Sequence, residues 1–111
     1  MNAAAESEEV LRFFWEELQV VDPQRKEVSV ERAWPYGRTS VVVLYRYRGS
    51  ERIGYFRDFS DCGHEDARSL GAALARDISE PLGGARTDVD PVTGIRWAGL
   101  AGREFPPVPE G

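Results

Sequence analysis

The stretch from Ser40 to Phe59 constrains the fold most. It strings Val41-Val42-Val43-Leu44-Tyr45-Arg46-Tyr47-Arg48 and Arg52-Ile53-Gly54-Tyr55-Phe56-Arg57-Asp58-Phe59 around Gly49-Ser50. β-Branched and aromatic residues in period two, interrupted by a glycine-first dipeptide, read as a two-stranded antiparallel hairpin. A two-residue Gly49-Ser50 turn would pair Arg48 with Glu51, Tyr47 with Arg52 and Tyr45 with Gly54. That register puts Val41, Val43, Tyr45, Tyr47 and Phe56 on one face. Val42, Leu44, Ile53, Tyr55 and Phe59 share the other with Arg46 and Arg57. A sheet with one wet face alternates more cleanly than this. Either both faces are covered, or one aromatic face is a docking surface.

The flanks supply the candidate covers. Residues 6–19 read as an amphipathic helix with Val10, Leu11, Phe14, Trp15 and Leu18 on one stripe and Val21 continuing it. Ser7 or Asn2 is the expected cap, Glu6, Glu8 and Glu9 suit its positive end, and Asp22-Pro23 stops it. Phe13 falls on the opposite, acidic side, where a lone aromatic is either a partner contact or an ordinary exposed side chain. Residues 26–34 alternate as a strand, with Val28, Val30 and Trp34 on one side. Residues 64–79 form a second helix along Ala67, Leu70, Gly71, Leu74 and Ile78. Asp61 or Gly63 is its expected cap, Gly71 allows close approach to the sheet, and Pro81 with Gly83-Gly84 ends it. Asp88 to Gly94 reads as a hairpin loop between strands at about 85–90 and 95–100.

The expected architecture is therefore α+β. An N-terminal helix precedes an antiparallel three-stranded meander, a second helix and a C-terminal β-hairpin packed on or extending the sheet. Residues 1–104 make one domain, and residues 105–111, Phe105-Pro106-Pro107-Val108-Pro109-Glu110-Gly111, form an extended or disordered proline-rich tail. The core is expected to hold Leu11, Phe14, Leu18, Val28, Val30, Val43, Leu44, Ile53, Tyr55, Leu70, Leu74, Ile78 and Trp97.

Composition excludes some classes of function. The longest apolar run, Val41 to Tyr45, cannot cross a bilayer, and the first residues lack a basic, apolar leader. One cysteine, Cys62, permits no intrachain disulfide and suits a reducing cytoplasm. Thirteen arginines against one lysine reflect codon usage more readily than a taste for planar cation recognition. Charge is segregated: net −5 over residues 1–22, +4 over 23–60 and −4 over 61–111. Segments of opposite sign attract one another within a fold and also steer a basic partner.

Candidate chemistry is thin. Asp58 to His64 gathers nucleophile, base and acid types where a strand hands over to a helix, so Cys62 and His64 define the enzyme alternative. The surrounding carboxylates favour a neutral thiol, which makes a capping loop with a half-buried cysteine the plainer reading. One histidine and one cysteine do not complete a zinc shell, and Asp88, Asp90 and Thr93 read as turn residues rather than a calcium loop. No cofactor motif is present. Tyr45, Tyr47, Tyr55 and Phe56 interleaved with Arg46, Arg48, Arg52 and Arg57 would suit a single-stranded nucleic acid. A pI near 4.9 argues against it. Phe105 to Pro109 would also fit an aromatic-lined groove as a polyproline segment. The leading expectation is a non-catalytic, cytoplasmic protein-binding or self-associating module. It acts through an aromatic sheet face or the acidic helix, with Phe13, Tyr45, Tyr47, Phe56, Arg48 and Arg52 as contacts.

Overall fold

The computed structural model describes residues 5–24, 26–61, 65–82 and 86–109. Along the chain run α1 (Ser7–Val21), β1 (Val28–Pro35), β2 (Ser40–Tyr47), β3 (Arg52–Asp58), α2 (Ala67–Ile78), β4 (Thr87–Val89) and β5 (Arg96–Ala98). The fold is α+β, its helices set against one mixed sheet ordered β1-β2-β3-β5-β4. The first three strands form the antiparallel meander, and the C-terminal hairpin extends the sheet by pairing β5 with β3 in parallel. Among the described residues no helix is long and apolar enough to cross a membrane. Expectations placed on Asn2, Cys62, Gly63, His64, Gly83, Gly84, Glu110 and Gly111 lie outside the described residues.

The start of α1 is tied to the sheet rather than capped by its own side chain. The Ser7 backbone N–H donates to the Arg38 carbonyl at 2.9 Å and its hydroxyl donates to the Gly37 carbonyl at 2.8 Å. Glu6 closes the tie through an ion pair with Arg38 at 3.0 Å. At the other end, Asp22 ends the helix and begins the next strand. Its backbone N–H reaches the Leu18 carbonyl, while its buried carboxylate accepts the N–H groups of Lys26, Glu27 and Val28 at 2.9–3.0 Å. The start of α2 is capped by Asp66, not by Asp61: the Asp66 carboxylate accepts the Ser69 N–H at 2.8 Å.

Two local departures decide which side chains share a face. The hairpin turns on Arg48-Gly49, one residue earlier than Gly49-Ser50. Both central residues have positive φ, 50° and 72°, and the Ser50 N–H closes the turn onto the Tyr47 carbonyl at 3.0 Å. This is the twist that suits a tight hairpin. The pairing consequently becomes Tyr45 with Ile53, Leu44 with Gly54 and Val42 with Phe56. A one-residue slip moves every β3 side chain to the opposite face. The ring covering Gly54 is then Trp97 rather than Tyr45; its parallel neighbour lies so close that a methyl group at Gly54 would collide with the indole. The second departure is a bulge between Val30 and Arg32. It carries Trp34 to the face opposite Val28 and Val30.

The result is a sheet apolar on both sides and covered on both. On one side α1 and α2 bury Val28, Val41, Val43, Tyr45, Ile53 and Phe59 beneath Val10, Phe14, Leu18, Leu70, Leu74 and Ile78. The helices themselves cross at Gly71, which approaches α1 rather than the sheet: an added methyl would sit 2.5 Å from the Val10 carbonyl oxygen. On the other side Val42, Leu44 and Phe56 are buried under Ile95, Trp97 and Leu100, with Trp34 and Val108 packed against them. Pro106 is buried on the way to Val108, and Arg32 donates to the Pro109 carbonyl at 3.1 Å. Residues 103–109 thus lie back along the molecule as a strap.

Candidate functional site

The six contacts expected from the sequence are dispersed. Tyr45 is fully buried under the helices and Phe56 is 3 % exposed beneath the C-terminal segment, so neither ring reaches a surface. The aromatic docking face expected from the hairpin is therefore closed, by helices on one side and by the chain's own C-terminal segment on the other. Tyr47 is half-buried at the margin of the helical core, with the Arg48 guanidinium 5.2 Å from its ring centre. Arg48 is paired with Glu27, and Arg52 with Glu31 at 3.1 Å. Arg46 shares Glu31 at 3.3 Å. Glutamates from β1 and the residue before it thus hold the cationic side of the ribbon. Phe13 is not a free aromatic. It is half-buried where the helices cross, between the guanidiniums of Arg12 and Arg68, each within 4.6 Å of its ring centre.

The turn after β4 resolves the aspartates of that loop into local roles. Asp90 accepts the Val92 N–H at 2.9 Å, its carbonyl accepts the Gly94 N–H at 2.8 Å, and Thr93 accepts the Ile95 N–H at 3.2 Å. Among the described residues no group of three or more His, Cys, Asp or Glu is gathered to hold a metal.

A different surface emerges beside α1. Trp15 lies on the apolar stripe of α1, yet it is 39 % exposed, its ring set edge-on against Phe14 at 5.1 Å. It walls an open groove of about 250 Å3 whose other side is Val28, Ser29 and Val30 of β1. β1 is an outer strand of the sheet, paired with β2 alone. Edge strands are commonly blunted by bulges, charges and proline. Here the bulge after Val30 and Pro35 blunt the later half of β1, and the earlier half carries the groove.

The exposed face of α1 is mainly acidic. Glu6 is paired with Arg38 and Glu17 with Arg76 at 3.2 Å. Glu8, Glu9 and Glu16 are exposed and make no ion pair among the described residues. Val20, one turn beyond Glu16, is 72 % exposed. Trp15 shares the apolar stripe with Phe14 and Leu18 but stands at its margin, beside the outer strand β1. The chain matches none of the known family models, curated proteins or solved structures with which it was compared.

Proposed function

We propose that the protein is a small non-catalytic binding module whose partner is another protein, held along the acidic face of α1 and the groove between Trp15 and residues 28–30 of β1. The carrying observation is an exposed indole, Trp15, that walls a groove beside the outer strand, on a helix whose exposed Glu8, Glu9 and Glu16 make no ion pair among the described residues. An extended segment fits such a place. An apolar side chain rests against Trp15 in the groove, and neighbouring basic residues meet Glu8, Glu9 and Glu16. The single cysteine suits a reducing compartment, so the cytoplasm is the expected setting.

The experiment compares wild type, Trp15→Ala and the triple variant Glu8→Lys/Glu9→Lys/Glu16→Lys as affinity baits against a lysate of the source cells. Support is a protein retained by wild type, released by raised salt and lost from both variants. Retention of the same proteins by all three baits overturns the reading. So does a wild-type chain that is monomeric by light scattering and retains nothing that the variants lose.

A further inference from the structure

The strongest unassigned feature lies at the opposite end of the sheet from the Trp15 groove. β3 and β5 are the parallel pair in an otherwise antiparallel sheet, matched Ile53 to Arg96, Gly54 to Trp97 and Tyr55 to Ala98. After β3 the chain turns to the helical face and enters α2. After β5 it leaves for the other face, where Leu100 is buried against the second core. Parallel neighbours whose following connections part to opposite faces leave a crevice outside their carboxyl ends, a preferred place for ligands.

Such a crevice is present. A cleft of about 430 Å3 is lined by Tyr55, Leu82, Arg86, Asp88, Ala98, Gly99 and Ala101. It shares Tyr55, Gly99 and Ala101 with a second cleft of about 320 Å3. Its size falls in the usual range for small-molecule sites, about 300–1,000 Å3. The floor is fixed. Gly99 has φ +85° and presses on the Phe56 carbonyl so closely that no side chain fits there. The Tyr55 hydroxyl is held by Asp77 of α2 at 3.1 Å.

The lining specifies the ligand. Leu82, Ala98, Ala101 and the Tyr55 ring give an apolar wall. Arg86 stands at the rim with its side chain 75 % exposed and only a long 3.8 Å contact to Asp88. In the second cleft Arg57 makes no ion pair among the described residues, whereas Arg103 is already held by Asp58 at 3.0 Å. Asp58 and Asp61 line the second cleft and Asp88 lines the first, where its 3.8 Å contact to Arg86 is the longest ion pair among the described residues, so Arg86 is the cation left for the negative end of a ligand. We propose that the crevice between the carboxyl ends of β3 and β5 binds a small organic carboxylate, its apolar body against Leu82, Ala98 and Tyr55 and its carboxylate on Arg86.

Benzoate and its neutral counterpart benzamide are the probes, titrated against the full chain while backbone amide resonances are followed. Benzoate is expected to shift Tyr55, Ala98, Gly99 and Ala101 together. Benzamide is expected to bind about tenfold more weakly, the loss of one charge-assisted contact. Arg86→Gln, a change at an exposed rim residue, should weaken benzoate by about the same factor and leave benzamide unaltered. Scattered or absent shifts with benzoate overturn the site. Equal binding of the two probes, or an unaffected Arg86→Gln, overturns the carboxylate assignment. Trp15→Ala should leave the benzoate titration unchanged, so this crevice and the α1 surface succeed or fail separately.

Discussion

The two faces of the sheet are equally dry but are dried by different means. On one, Val41, Val43, Tyr45 and Ile53 meet two helices whose backbone bonds are satisfied within themselves and whose apolar stripes are continuous. On the other, Val42, Leu44 and Phe56 meet Ile95, Trp97, Leu100 and Val108, carried by a short strand and irregular chain. A helix brings its side chains to the sheet as one cooperative unit. A strap contributes them singly, and each contact must offset the ordering of its own stretch of backbone. The comparison explains how a chain of 111 residues supports a sheet with two apolar faces. It also implies a hierarchy of stability, in which the helical face holds longest and the strap opens first.

The hierarchy is tested most severely at Phe14. This ring is fully buried at the centre of the helical face, and Phe14→Ala should cost about 3–5 kcal/mol in urea unfolding. A loss near 1 kcal/mol would show that the helical face is not the dominant core. The matching test on the other side is Gly54→Ala, which drives a methyl into the Trp97 indole. Overpacking of this kind costs about 1–3 kcal/mol, and the near-ultraviolet circular dichroism should change as the indole shifts. If stability and spectrum both stay the same, the close seat of Trp97 on Gly54 is wrong.

Deleting residues 105–111 removes Pro106 and Val108 from the second face. The expected loss is about 1–3 kcal/mol, the scale of burying one or two apolar side chains, with increased binding of a hydrophobic dye. Amide exchange should quicken at Trp34 and leave Leu70 and Leu74 protected. Equal quickening on both faces would abolish the distinction between a cooperative cover and a fraying one.

The same contrast determines what the sequence could disclose. The helical cover is legible because Leu11, Phe14, Leu18, Leu70, Leu74 and Ile78 repeat at helical spacing, and all six are buried. Surplus apolar surface on the hairpin is legible too, as is the need for a second cover or a partner. That Leu100, Pro106 and Val108 supply this cover is not legible, since an irregular strap has no period to read. Register fails for a narrower reason. Gly49 allows a turn on either side of itself, and the choice of Arg48-Gly49 forces Arg48 to positive φ, a conformation rarely read from an arginine. The bulge after Val30 leaves no turn residue to announce it, yet it sends Trp34 across the sheet. The groove at Trp15 has a related cause: helical spacing does not record that Trp15, at the margin of the stripe, falls beside the outer strand of the sheet.

The smallest expected effect concerns the polar atoms that each face encloses. The Tyr45 hydroxyl on the helical face and the Trp97 ring N–H on the other are buried with no hydrogen-bond partner among the described residues. Removing a buried donor that has no partner is close to neutral or stabilising. Tyr45→Phe should therefore change stability by no more than about 1 kcal/mol near neutral pH, most simply upward. The variant is informative at high pH. Burial, then the nearby Tyr55 and Asp77, raises the Tyr45 pKa above its ordinary value. Tyr55 is raised as well, by burial first and then by Asp77, against a lowering influence from Arg57. A raised phenol contributes stability that is fully present below the unfolded value of about 10 and is lost as pH climbs from there through the higher folded value. Wild type should thus lose stability above pH ~10, and Tyr45→Phe should lose less, because of the two raised phenols only Tyr55 then remains. Parallel alkaline curves for the two proteins, measured by urea unfolding at successive pH values, would mean that Tyr45 ionises as readily folded as unfolded. The helical face would then admit water to the ring at its centre, and the ranking of the two covers would reverse.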